Sequence, residues 1–297
     1  MDFDLLCFGE AMMELTRMGS GDYKAGYGGD TSNCAIAAAR QGARAGYITA
    51  VGDDAFGREL LDLWQREAVS TEFVRVDSTA PTGLYIITPS PAGRDFAYYR
   101  AGSAASRYTA DDLPVAALRR TRIVQLSGIS QAIGTGPLAA GTALIEAARQ
   151  AGCEVAYDTN LRLKLWDLEQ ARATMHAAMT RCTIALPSID DSRVLTGLED
   201  ADAIADAYLA MGPRVVALKM GEAGAMIATT TTRVVIPPHR VTPVDATGAG
   251  DTFDGAFLAR LAAGADAVDA GRYAAVAAAL TTTGYGAVSP IPRFGEV

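Results

Sequence analysis

The chain has 297 residues, of which 49% are apolar and 20% charged, and its formal net charge is −8. That length supports one large domain with a buried core. The acidic balance without a basic run argues against nucleic acid as a partner, and the lack of any apolar stretch of about 18 residues argues against a membrane span.

The opening MDFDLLCFGE is acidic, runs directly into a strand pattern and lacks the basic region and cleavage site of a secretory leader. A cytoplasmic protein is therefore expected. Short apolar runs then alternate with alanine-rich helical stretches, the pattern of α/β layering. Strands are expected at LLCFG (5–9), AGYITAVG (45–52), RIVQLSG (122–128), EVAYD (154–158), CTIALP (182–187), RVVALKMG (214–221) and AGAMIAT (223–229). Helices are expected at Thr31–Gly42, Gly57–Glu67, Pro137–Ala151, Leu168–Thr180 and Asp200–Met211, and from Asp251 to Thr283 the chain reads as mainly helical. Most of the strands lack strict alternation, as expected where helices cover both faces of a sheet.

Residues 73–101 differ. FVRVDSTAPTGLYIITPSPAGRDFAYYR alternates, with PAGRD as a turn, and reads as a hairpin of a small antiparallel sheet beside GSGDYKAGYGG (19–29). The chain is thus read as a single domain over 1–297 with excursions at about 11–29 and 73–101 that form a lid. Cys7, Cys34, Cys153 and Cys182 sit in apolar surroundings without CxxC spacing and read as reduced core residues. His176 and His239 are far apart, which argues against a zinc site or a histidine-based triad.

Two stretches carry candidate chemistry. VDATGAGDTFDGAFLARL (244–261) places Gly248, Ala249 and Gly250 at the mouth of an amphipathic helix. A helix N-terminus has unpaired N–H groups and partial positive charge, and glycines let its backbone approach an anion. Asp251 is either the helix cap or a base beside an anion cradle. GYGGDTSNCAIAAARQGARAGYITAVGDDAFG (26–57) sets Gly28, Gly29, Asp30 and Asn33 before a small-residue helix. These groups suit sugar hydroxyls, although Asp30 could instead serve only as a cap. Gly52-Asp53-Asp54 with Gly57 reads as a strand-to-helix turn. A GxxxxGK[ST] loop is absent, and the turn after the first strand, CFGEAMMEL, is not GxGxxG.

GGDTSN with AVGDDAFG in the first third, and DATGAGDTFDGAFLARL near the end, closely resemble the two signatures of the ribokinase-like (PfkB) carbohydrate kinases in order and separation. The resemblance spans essentially the whole chain. It implies a doubly wound, mainly parallel α/β body of about nine strands with helices on both faces and a β-sheet lid. It implies ATP and Mg2+ as cofactors, Asp251 as the base that deprotonates the acceptor hydroxyl, and Gly248, Ala249 and Gly250 as the anion hole. YYRAGSAAS (98–106) and DTNLRLKLW (158–166) resemble segments of 2-keto-3-deoxygluconate kinases within that family. A sugar acid carries a carboxylate that a guanidinium can grip bidentately, so Arg100 and Arg162 are assigned to the substrate with Tyr85 and Tyr99, with a surface salt bridge as the alternative for Arg100. Asn160 and Arg162 are also placed toward the nucleotide. LKMGEAGA (218–225) resembles the segment beside the triphosphate, which assigns Lys219, Gly221 and Gly224 there; GYGAVSP (284–290) falls at the adenine side, which assigns Gly286 and Ala287. The family's Asn-x-x-Glu element reads Ser188-Ile189-Asp190-Asp191 here, so Asp191 is assigned an indirect role at the metal while Ser188 cannot replace an amide. The partners expected are a small sugar acid and ATP, with neither nucleic acid nor membrane, in a homo-oligomer.

Overall fold

A computed structural model describes residues 1–90 and 93–297, with the side chains of residues 93 and 94 outside the description. Its strands are β1 (Phe3–Phe8), β2 (Met12–Arg17), β3 (Tyr23–Gly28), β4 (Ala45–Gly52), β5 (Ser70–Asp77), β6 (Leu84–Ser90), β7 (Gly93–Tyr99), β8 (Thr121–Ser127), β9 (Glu154–Asp158), β10 (Ile184–Ala185), β11 (Val215–Lys219), β12 (Ala225–Thr229) and β13 (Arg233–Ile236). Its helices are α1 (Asp30–Arg40), α2 (Ala55–Arg66), α3 (Val115–Leu118), α4 (Gly128–Ala132), α5 (Thr135–Ala151), α6 (Leu168–Met179), α7 (Ile189–Thr196), α8 (Ala201–Met211), α9 (Ala249–Ala262) and α10 (Ala267–Thr281).

Nine strands form one sheet in the order β13-β12-β11-β10-β9-β8-β1-β4-β5, parallel except for the antiparallel β11–β12 and β12–β13 pairs. The chain runs outward from β1 through β4 to β5, then returns to β8 on the other flank of β1. The strand order therefore reverses beside β1, and in open α/β sheets a crevice forms beyond the strand carboxyl ends at such a point. The expected strands and helices are present within a few residues of their limits. All eight residues of β4 are buried, which accounts for its unbroken apolar run.

The second sheet has four strands in the order β3-β2-β6-β7. It departs from the expected antiparallel arrangement, because β2 and β6 pair in parallel. Each follows a strand of the body, β1 or β5, and both leave in the same direction. Residues 73–77, expected in the excursion, belong to β5 on the edge of the large sheet. Their alternation reflects an edge strand covered more on one face than the other. In the expected PAGRD turn, residues 91 and 92 lie outside the described residues.

One packing contact brings the two sequence signatures together. Helix α1 buries Thr31 through Ala38 and α9 buries Thr252 through Ala259. At their crossing, a Cβ on Gly255 would lie 2.3 Å from the Cys34 carbonyl oxygen, so the backbones meet at a distance no larger residue permits. Gly255→Ala is therefore expected to push α9 off α1 at a cost of about 2–3 kcal/mol, lowering Tm by roughly 5–10 °C. A calorimetric Tm equal to the parent's would contradict the contact.

Candidate active site

The site is built from helix N-termini and strand carboxyl ends. Gly248 caps α9 in the left-handed conformation, with φ 78°. Its Cα packs on the backbone of Ala287, where a Cβ would lie 2.8 Å from the Ala287 oxygen. The loop expected at the adenine side is fastened to the same turn, since the Gly286 N–H donates to Asp245 at 3.1 Å. Asp251, in the first turn of α9, does not cap it. Its carboxylate instead accepts a hydrogen bond from Asn33 Nδ2 of α1 at 2.8 Å. Asp30 likewise is the first helical residue of α1 rather than its cap, and it accepts from Asn160 Nδ2 at 2.7 Å. Asn160 itself has φ 33°, a left-handed backbone at the end of β9.

Burial, reinforced by the nearby Asp30 charge, pushes the Asp251 carboxyl up to about 7 against the opposing Asn33 hydrogen bond. A carboxylate so poised can take a proton near neutral pH.

Lys219, at the end of β11, borders the N-terminus of α9: a Cβ on Gly250 would lie 4.0 Å from its Nζ. It is not a free cation waiting for phosphate. Its ammonium lies 3.1 Å from Asp158 and 2.9 Å from Asp254. Burial alone would strip its proton, but the two carboxylates reverse that and hold it charged above the usual lysine range. Burial likewise raises Asp158 and Asp254, with Lys219 opposing. Sequence reasoning named Lys219 and missed both of its partners. Asp254 was visible as the residue one helical turn after Asp251, and Asp158 as the acid ending an apolar strand.

Other expected residues fall around this centre. Tyr85 is buried on β6, its hydroxyl donates to Glu14 of β2, and it lies close enough to Asp251 to sense its charge. A Cβ on Gly28 would meet the Tyr85 hydroxyl. Tyr98 pairs with Tyr85 across the hairpin, with ring centroids 5.6 Å apart. Tyr99 pairs with Leu84 and therefore projects from the opposite face of the sheet, 63% exposed. It points away from Tyr85, and its neighbour Tyr98 lies on the Tyr85 face instead. Arg162 is exposed beyond β9 and donates to its neighbour Leu161's carbonyl at 2.8 Å. Asp191 accepts from the Leu161 N–H at 3.0 Å and from Thr159 at 3.3 Å, while Ser188 caps α7. Gly221 and Gly224 shape the turn between β11 and β12 with φ of 58° and 91°.

Arg100 follows β7 and, rather than standing free for a ligand carboxylate, pairs with Glu10. Its Nε donates to Glu10 Oε2 at 2.7 Å and its Nη2 donates to the same oxygen. Glu10 went unrecognised, although an acid in the apolar run CFGEAMM was the available signal.

Magnesium favours hard oxygen ligands and keeps several waters. Asp158, beside Lys219, and Asp191, which accepts from Leu161, supply such oxygens, and no group of three or more His, Cys, Asp or Glu forms a cage among the described residues. The donor set fits an ion held chiefly by phosphates and water.

The chain matches the pfkB family carbohydrate kinases over residues 2–293 and belongs to that family. It is 31% identical over 305 residues to a 2-dehydro-3-deoxygluconokinase of Dickeya dadantii, covering 97% of each chain. It is also 31% identical over 280 residues to a fructokinase-1 of Zea mays, covering 91% of this chain and 86% of that one. A solved PfkB protein from Polaromonas sp. JS666 superposes with TM-score 0.90 at 28% identity, over 99% of this chain and 98% of that one. A fructokinase from Xylella fastidiosa with bound ATP shares the fold at TM-score 0.90 and 24% identity, over 99% of this chain and 96% of that one. No helix among the described residues is long and apolar enough to cross a membrane.

Lys219→Met removes the ammonium that sits between Asp158 and Asp254. It is expected to cost about 3–5 kcal/mol near pH 8. Both carboxyls are raised in the folded state, so that state binds more protons than the unfolded chain and stability recovers as pH falls. Urea denaturation near pH 8 and near pH 5.5 checks this; a deficit that does not change with pH would contradict the arrangement.

Proposed function

We propose that the protein transfers the γ-phosphoryl group of ATP to the primary 6-hydroxyl of 2-dehydro-3-deoxygluconate, with Asp251 as general base. The observation that carries this reading is the position of Asp251: held by Asn33, raised by burial, and one residue beyond the N-terminal amides of α9.

In this reading Asp251 accepts the hydroxyl proton as the sugar oxygen forms its bond to the γ-phosphorus. The bond to the bridging oxygen breaks and ADP leaves with those electrons. The amides of Gly248 and Gly250 are offered to the oxygens on which charge gathers, while that of Ala249 donates to the Ala246 carbonyl at 3.3 Å. Lys219 keeps Asp158 and Asp254 from repelling the incoming phosphates. Mg2+, bound with ATP, would neutralise phosphate charge, with Asp158 and Asp191 as its protein-side oxygens. The small sheet, carrying Tyr85 and Gly28 toward Asp251, acts as a lid that shields the phosphoryl group from water.

The acid-sugar assignment draws on the Dickeya relative and on Arg162, whose exposed guanidinium is available to a carboxylate. One observation favours a second reading, phosphorylation of a neutral ketohexose. The charge of Arg100 is already balanced by Glu10, and the maize fructokinase is as similar in identity. A coupled assay with 2-dehydro-3-deoxygluconate, its galactonate epimer, fructose and ribose separates the two. Preference for the acids supports the first reading, and preference for fructose overturns it.

Asp251→Asn is expected to lower kcat by about 10³-fold while leaving the binding of sugar and ATP nearly unchanged. Near-normal turnover would remove Asp251 from the role of base. Because kcat/KM reports the free enzyme, the parent should lose it in proportion to proton concentration below about pH 7, where Asp251 becomes protonated. The residual rate of Asp251→Asn should lack that step.

A further inference from the structure

The chain crosses between the body and the small sheet at four places: residues 9–11, residue 29, residues 78–83 and residues 100–103. Glu10 touches all four. It lies in the first. Its carbonyl oxygen occupies the space beside Gly29, where a Cβ would come within 2.4 Å; Gly29 also has φ 124°. In the third, a Cβ on Gly83 would lie 2.8 Å from Glu10 Oε1. In the fourth, Glu10 accepts from Arg100 Nε at 2.7 Å, from Arg100 Nη2, and from Ser103 Oγ at 2.9 Å. The Glu10 side chain is fully buried and that of Arg100 is 12% exposed, so the pair is neither a surface ion pair nor an open binding group.

A buried carboxylate is costly unless its lone pairs and charge are met. Here they are met only while the fourth crossing keeps its present position against the first. The ion pair thereby ties the small sheet's orientation to the body. The nucleotide-side groups, Lys219, Gly248, Gly250 and Gly286, lie on the body and are independent of this tie. Tyr85 and Gly28 lie on the small sheet and depend on it.

We propose that Glu10 is a positioning residue for the sugar side of the site: by fixing Arg100 it sets the angle at which the small sheet closes over Asp251. This rests on the sugar-kinase reading, not on the identity of the sugar, and the assay uses whichever of 2-dehydro-3-deoxygluconate and fructose is turned over faster.

Glu10→Gln keeps the shape and removes the charge. It is expected to raise the sugar KM about 10- to 100-fold, to leave the ATP KM within about threefold, and to increase ATP hydrolysed per sugar phosphorylated. If Glu10 acts through Arg100, then Glu10→Gln added to Arg100→Met changes the sugar KM by less than about twofold. Removing both partners also leaves no unpaired charge, so the double variant decides the matter even where Glu10→Gln alone folds poorly. Three results would overturn the proposal: an unchanged sugar KM in Glu10→Gln, a parallel loss for sugar and ATP, or additive effects in the double variant.

Discussion

The contact between α1 and α9 is the constraint on which the site depends. Helix α1 is mostly small residues, and α9 adds Phe253, Phe257 and Leu258 to the core around Gly255. Together they exclude water over Thr31–Ala38 and Thr252–Ala259, and the backbones approach at Gly255 and Cys34. That approach joins Asn33 to Asp251. A pair 218 residues apart in sequence becomes one hydrogen bond because Gly255 lets α9 lie directly on the small residues of α1.

Electrostatics at the carboxyl ends of the sheet work against stability. Asp158 and Asp254 flank the ammonium of Lys219, Asp251 lies within reach of its charge, and Asp30 lies beside Asp251 and Asp158. Such a group of carboxylates is expensive to bury. A site that must receive a polyanion would seem better served by more cations. The arrangement makes sense under the proposed reading, in which the base is anionic, the charge beside it balanced rather than excessive, and the phosphate charge met by helix amides and a metal ion.

The small sheet shows how a mobile-looking excursion can be fixed by few interactions. Its hinge is not a flexible run but four crossings gathered around one buried carboxylate. The aromatic face of Tyr85, Phe96 and Tyr98 is ordered by cross-strand pairing, with Phe96 and Tyr98 rings nearly parallel at 12°. The face that Tyr99 occupies is a matter of register alone, and a shift of one residue would exchange the two tyrosines.

The sequence by itself determined the layered α/β body, the glycine turn before α9 and the family, because local period and motif chemistry carry those. It left open whether Asp251 caps α9, and the fold answers that: Gly248 holds the cap position and Asp251 accepts from Asn33 instead. It assigned Arg100 and Lys219 to ligands as though they were free, since charge type is legible in one dimension and charge pairing is not. Their partners Glu10, Asp158 and Asp254 come from the connection after β1, from the end of β9 and from α9, distant in the chain. It also placed residues 73–77 in the excursion, because an edge strand of a large sheet and a strand of a small one share the same alternation. Only tertiary structure decided these points. Burial converts a separation of many residues into a few ångströms, and at that distance and low dielectric the identity of the neighbour, rather than of the residue, fixes what a charged group can do.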